Sequence, residues 1–136
     1  MMYMLDTNNL SYLMRGRDEA LAQKVAGHVA KDLCISSITY AELRYGIDRK
    51  DDGRKKAQLE RSLLMFLSGI RVVPFDDHAS VAYGKVRSGL EMTGDRIGLM
   101  DMLIAAHALS KGDILVTHNT GEFSRVHGLK VEDWMI

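Results

Sequence analysis

Three acidic residues, far apart in the chain, stand where a carboxylate has chemistry to do. Asp6 directly follows a short apolar run in Met4-Leu5-Asp6-Thr7-Asn8, at the carboxyl end of an expected central strand, the edge at which open α/β sheets bind ligands. Asp6 or Thr7 would equally serve as the cap of a helix running through Leu10 and Leu13. Glu42 lies about one and a half turns into the helix expected after the second strand, above the same edge. Ile38, Ala41 and Tyr45 form the apolar stripe expected to pack that helix down, and Glu42 borders it. A carboxylate there either finds a partner or keeps its head in water. Asp101 opens Asp101-Met102-Leu103-Ile104-Ala105-Ala106-His107-Ala108-Leu109, apolar around most of its circumference and so expected to be a buried helix. It is either the N-cap or a ligand facing the strand ends, and the helix dipole favours both. Gly98, just before it, lets the backbone approach closely.

Three such acids at one sheet edge repel one another and call for a cation. Oxygen donors without a Cys or His cluster favour Mg²⁺ or Mn²⁺ over Zn²⁺. A fourth segment, Val116-Thr117-His118-Asn119-Thr120-Gly121-Glu122-Phe123, reaches the same edge. Asn119 and Glu122 are candidate further donors, and Asn8 and Thr117 are candidate ligands or supports. The other reading is a turn in which Asn119 caps, Gly121 bends and Phe123 packs. Of the five histidines, His107 reads as a core residue, the others as surface or loop residues, and only His118 falls near the site.

The elements that must position these groups alternate short apolar runs with helical periodicity, the pattern of a parallel sheet covered by helices. Strands are expected at Met2–Leu5, Leu33–Ser36, Ile70–Val73 and Ile114–Thr117, with an edge strand at Leu129–Val131. Helices are expected over Asp18–Ala30, Asp52–Leu67, Asp76–Met92 and Met100–Leu109. Ser37 is the expected N-cap of the Glu42 helix, and Gly46 is expected to end it in the left-handed conformation.

With 136 residues, 46% of them hydrophobic, the chain suits one domain with a real core, spanning 1–136. No apolar stretch approaches the roughly 20 residues of a membrane span, and the N-terminus lacks a secretory pattern, so a cytoplasmic protein is expected. The single cysteine, Cys34, is expected to pack in the core. Eighteen Lys and Arg balance eighteen Asp and Glu, so net charge does not argue for a nucleic-acid partner. Distribution says more: Arg44, Arg49, Lys50, Arg54, Lys55, Lys56 and Arg61 make the middle locally basic, diluted by Asp48, Asp51, Asp52 and Glu60. This is either a solvated helix face or a phosphate-contacting surface.

Leu5-Asp6-Thr7-Asn8, then Ser36-Ser37-Ile38-Thr39-Tyr40-Ala41-Glu42-Leu43-Arg44-Tyr45-Gly46, then Ile97-Gly98 followed by Asp101-Met102-Leu103-Ile104-Ala105-Ala106-His107-Ala108, resemble in order and spacing a PIN-domain toxin of the VapC type. The likeness continues through Leu115-Val116-Thr117-His118-Asn119, Glu122-Phe123 and the terminal Gly128-Leu129-Lys130-Val131-Glu132-Asp133-Trp134. It implies an α/β three-layer sandwich whose central, mostly parallel sheet has about five strands. It also implies a Mg²⁺- or Mn²⁺-dependent endoribonuclease that leaves a 5′-phosphate and a 3′-hydroxyl, and a cognate VapB-like antitoxin that blocks its site. Asp6, Glu42 and Asp101 match the family's acidic positions, Asp6 and Asp101 as metal ligands and Glu42 on the metal or the attacking water. The family's fourth acid is replaced by Asn119, leaving Asn119, Glu122 or water to complete the shell. Structured tRNA, including initiator tRNA, is the implied substrate, with Arg96, Arg44 and Arg15 as candidates for holding its backbone. A homodimer is implied, through the helices of Asp52–Leu67 and after Asp76, and a larger hetero-oligomer with antitoxin.

Two other classes remain in view at this point. A catalytically silent binding module would use the acids only as caps, and Asn119 keeps that reading alive. An aspartate-based phosphotransfer domain fits poorly: the phosphatase pattern wants an acid where Asn8 stands, and a receiver wants paired acids near the first strand. No glycine-rich turn follows that strand, which disfavours a P-loop or dinucleotide site.

Overall fold

In a computed structural model, which describes residues 1–135, five strands form one all-parallel sheet: β1 (Tyr3–Leu5), β2 (Leu33–Ser36), β3 (Arg71–Val73), β4 (Ile114–Val116) and β5 (Lys130–Glu132), in the order β3-β2-β1-β4-β5. Seven helices cover it among the described residues: α1 (Thr7–Arg15), α2 (Glu19–Ala26), α3 (Ser37–Asp48), α4 (Gly53–Leu67), α5 (Asp77–Thr93), α6 (Leu99–Lys111) and α7 (Thr120–Phe123). The strands are too short to alternate visibly between oil and water, because both sheet faces are covered. Met4, Cys34 and Leu115 point into a core built with Val86 and Leu90 of α5 and Met102 and Ile104 of α6. Their neighbours Leu5, Ile35 and Val116 point into the opposite core, with Leu10 of α1, Leu43 of α3 and Leu63 of α4. The result is the three-layer sandwich that the resemblance implied.

Strand order runs outward from β1 in both directions, so connections diverge between β1 and β4. At such a switch point the loops following two adjacent strands part and leave a crevice at their carboxyl ends. Asp6 follows β1 and Thr117 follows β4, and the Asp6 amide donates to the Val116 carbonyl across the junction at 3.1 Å.

Helix starts are largely written locally. Asp18, Asp52 and Asp76 each accept from a first-turn amide of α2, α4 and α5, satisfying donors that no earlier carbonyl can reach. The α3 helix corrects the sequence reading in three respects. Its N-cap is Ser36, not Ser37: Ser36 is extended at the end of β2, and its Oγ accepts from the Ile38 amide at 3.0 Å. Ser37 is already helical and accepts from the Phe75 amide instead. Gly46 does not end the helix, which runs on to Asp48 because burying Ile47 favours one more turn. Nor is Ile38-Ala41-Tyr45 the packing stripe. Ala41 is exposed and Tyr45 is 68% exposed, whereas Thr39, Leu43 and Ile47, four residues apart, face the core. The first expected long helix also stops early, at Ala26, and Ala30–Asp32 form a separate 3-10 turn.

His107 is buried, as expected, and pairs with Ser36 Oγ at 2.8 Å. Cys34 is buried too, its thiol pushed up to about 11 mainly by burial. His28, expected at the surface, is half-buried, stacked on Trp134 with ring centroids 4.4 Å apart. No helix among the described residues is long and apolar enough to cross a membrane.

Candidate active site

Asp6 is 4% exposed and plays two parts. Its Oδ1 caps α1 by accepting from the Asn9 amide at 2.8 Å, so the capping reading holds. The carboxylate also takes a hydrogen bond from Thr117, and it feels the charges of Glu42 and Asp133. Burial is the largest influence and raises its pKa, against the lowering effect of those hydrogen bonds. Capping and a place among the acids therefore coexist in one residue. The next residue, Thr7, donates from Oγ1 to Glu42 Oε1 at 2.6 Å, with Thr39 Oγ1 3.3 Å away. Glu42 is half-buried and is thereby turned toward α1. It owes that direction to Leu43, its neighbour on α3, whose burial sets the roll of the helix.

Asp101 is not the N-cap of α6. Gly98 holds that place, with no side-chain cap, and Asp101 is the third helical residue. Gly98 has φ −57°, and a Cβ there would stand 3.5 Å from Asp101 Oδ2, an ordinary contact. Glycine is therefore not demanded there by close approach. Freed from capping, the Asp101 carboxyl faces Glu122, Asp6 and Glu42, and its pKa is raised to about 6 by burial first and by those three charges next. A hydrogen bond with Glu122 adds to the rise.

Glu122 thus joins the cluster. Asn119 does so only through it: its Nδ2 donates to Glu122 Oε2 at 2.7 Å, and its amide donates to Thr117 Oγ1 at 3.0 Å. Asn119 occupies the N-cap position of α7 without a capping bond, while Phe123 packs as the turn reading expects. Asn8 is exposed and lines the small cleft that also contains Thr7 and Glu42. His118 turns to Asp133, at 2.9 Å, and is more than half exposed. Asp133 is the contributor that sequence reasoning missed, since a residue beyond a short edge strand carries no local signal of where it folds back.

The basic candidates separate. Arg15 is exposed at the end of α1 and borders the Glu42 cleft. Arg96 is exposed before α6, its carbonyl accepting from Arg125. Arg44 is engaged by Glu60 at 2.6 Å and Asp48 at 3.5 Å. That pairing, made possible by α4 crossing α3, engages Arg44 within the protein.

Whether a hard divalent ion suits this cluster can be judged from its donors. They are carboxylate, hydroxyl and amide oxygens; Asp6 feels the charge of Glu42, and Asp101 feels those of Glu122, Asp6 and Glu42. No Lys or Arg acts on Asp6 or Asp101 among these influences. Uncompensated negative charge with oxygen donors fits Mg²⁺ or Mn²⁺. Among the described residues no three His, Cys, Asp or Glu side chains are already closed to metal-binding spacing. Glu42 and Glu122 are instead held back by Thr7 and Asn119.

An acid cluster at the switch point of a parallel α/β sheet is an arrangement that suits hydrolases working through a divalent ion. Residues 3–129 match the family model of the PIN domain. The chain is 35% identical over 135 residues to the tRNA(fMet)-specific endonuclease VapC of Salmonella typhimurium, covering 97% of each. It is 38% identical over 136 residues to ribonuclease VapC2 of Rickettsia felis, covering 98% of each. The crystal structure of VapBC2 from Rickettsia felis bound to a DNA fragment from their promoter superposes with a TM-score of 0.90 at 36% identity, over 98% of this chain and 99% of that one. The chain belongs to the PIN-domain family, among its VapC-type endoribonucleases. The silent-module and phosphotransfer readings are set aside by that membership.

Proposed function

We propose that this chain is the toxin of a toxin–antitoxin pair, a Mg²⁺- or Mn²⁺-dependent endoribonuclease in which Asp6, Glu42 and Asp101 are the catalytic carboxylates. The observation that carries the reading is the convergence of Asp6, Glu42, Asp101 and Glu122 from four separate segments, none of them with a Lys, Arg or His side chain within 4.0 Å among the described residues. A bound divalent ion supplies an activated water and neutralises charge on the scissile phosphate. Asp6 and Asp101 would hold that ion. Glu42, steered by Thr7, would join them or take the water's proton. Glu122, oriented by Asn119, would complete the shell in place of the family's fourth acid.

The kinship to a tRNA(fMet)-specific endonuclease supports structured tRNA, initiator tRNA included, as the substrate. Residues 1–136 act as one PIN domain in the cytoplasm, where that RNA is found. The likeness to a VapBC complex supports a VapB-like antitoxin. An Arg carried into the acid cluster would pair two carboxylates with its planar fork and compete with metal. Exposed apolar residues on α4 (Leu64, Met65) and α5 (Val81, Met92) support pairing of two copies through these helices, and a larger hetero-oligomer with antitoxin. The test is direct: antitoxin-free protein is incubated with structured RNA in Mg²⁺, Mn²⁺ or EDTA. Cleavage with either metal and none in EDTA is expected; EDTA-resistant cleavage, or none under any condition, overturns the proposal.

A further inference from the structure

The fold sorts the basic middle of the chain into two groups. On one side of the α3–α4 crossing, Arg44 is matched by Glu60 and Asp48, and Lys56 lies 3.8 Å from Asp48. On the other, Lys50 and Lys55 meet Arg15 and Arg17, brought from the far end of α1. These four line a cleft of about 380 Å³ that includes Gln58 and Ser62 and no acidic residue. Gly16, at φ +62°, makes the left-handed turn that puts arginines on both sides of the helix end. Among the described residues, none of the four cations has a carboxylate within 4.0 Å.

Like charges gathered in one concavity of a neutral protein attract a polyanion. The cleft also leads somewhere. It shares Arg15, Lys50 and Leu59 with an adjoining cleft of about 130 Å³, whose walls include Thr7, Asn8 and Glu42. Unpaired cations therefore run up to the acid cluster.

We propose that Arg15, Arg17, Lys50 and Lys55 form a phosphate track that grips the RNA backbone on one side of the scissile bond. The inference rests on the ribonuclease reading and deepens it. Guanidinium forks and ammonium groups bind phosphate oxygens, and Gln58 and Ser62 supply neutral hydrogen bonds to phosphate or sugar. Such contacts give affinity and register and leave base choice to other surfaces. A uniformly acidic protein segment would suit the cations too, but continuing along the path it would be repelled at Glu42; a segment that ends in the Arg proposed above would not, and antitoxin binding by the same variants separates it from RNA. An RNA strand would bring its next phosphate to a divalent ion held by that cluster, which would offset part of the carboxylate charge and present a local positive charge to the phosphate oxygens.

The test compares wild type with Arg15→Gln/Arg17→Gln, Lys50→Gln/Lys55→Gln and the ion-paired control Lys56→Gln. Binding of a fluorescent structured RNA is followed in EDTA between about 50 and 300 mM KCl, cleavage is followed in Mn²⁺, and melting curves check the fold. Each double variant is expected to bind about ten-fold more weakly and to flatten the log–log salt slope by about 1.4 to 1.8. KM rises, kcat stays within about two-fold, and Lys56→Gln behaves as wild type. Should a double variant fail to fold, Arg17→Gln and Lys55→Gln alone are expected to weaken binding about three-fold each. Wild-type affinity and slope in the variants, or a loss confined to kcat, overturns the track. So does weakened antitoxin binding with RNA binding unchanged. RNA bound but never cut by wild type overturns the ribonuclease reading and leaves the track standing.

Discussion

At the residue scale, Asp6 separates catalysis from folding unusually well. Asn caps helices about as well as Asp, so Asp6→Asn retains the bond to the Asn9 amide while removing a charge from the cluster. Single-turnover cleavage should fall at least about 100-fold with little change in melting temperature, since ligand charge controls metal affinity. Near wild-type cleavage would remove Asp6 from the site. The raised pKa values of Asp6 and Asp101 give a second prediction. A carboxyl that holds its proton more tightly when folded makes the folded state bind more protons than the unfolded one. Stability then falls as pH rises from the ordinary carboxylate range through about 6. In EDTA, urea midpoints of the wild type should decline across that window, and Asp101→Asn should decline less, by on the order of 1 kcal/mol after allowing for partial solvation. Saturating Mn²⁺ should remove the decline. Parallel profiles for the two proteins in EDTA would show that Asp101 is not strained by its neighbours.

At the element scale, what was readable in the sequence was what neighbours in sequence decide. The apolar runs of β1, β2 and β4 and the aspartate caps of α2, α4 and α5 carry their own signals. The roll of α3 does not. Two adjacent serines can both cap, and Ser36 wins because β2 holds it extended beside its sheet partners. Tyr45 looked like a packing residue only because aromatic character says nothing about which face the neighbouring elements cover. Ser36 is fully buried and joins α3 to α6, serving both the Ile38 amide and the His107 ring. Ser36→Ala should cost about 2–3 kcal/mol, the sum of a lost cap and a lost buried partner. Urea unfolding measures it; a cost below about 0.5 kcal/mol would mean that α3 is positioned by packing alone.

At the scale of the whole molecule, the gathering of the three principal acids was legible because the α/β rule directs attention to strand ends: Asp6 follows β1, and Glu42 and Asp101 lie in the first half of α3 and the first turn of α6. The partition of Asn119 and Glu122, the approach of Asp133 and the matching of Arg44 by Glu60 were not, because each depends on how distant elements dock. The C-terminal segment shows the same dependence. Trp134 is 2% exposed, donates to Glu132 and contacts the rings of Tyr3 and His28, closing one edge of the molecule. Trp134→Ala should destabilise by about 3–5 kcal/mol, readable in thermal melts, and a much smaller loss would show that this closure is incidental.

The central claim is that the acid cluster holds the cation on which cleavage depends. Mn²⁺ binding and RNA cleavage should be measured on the same samples of wild type and Asp101→Asn, free of antitoxin, across a titration of the metal. Wild type should bind Mn²⁺ and cleave in proportion to occupancy, while Asp101→Asn should need at least about ten-fold more metal for both. Equal Mn²⁺ affinity in the two proteins, or cleavage that does not follow occupancy, would contradict the account.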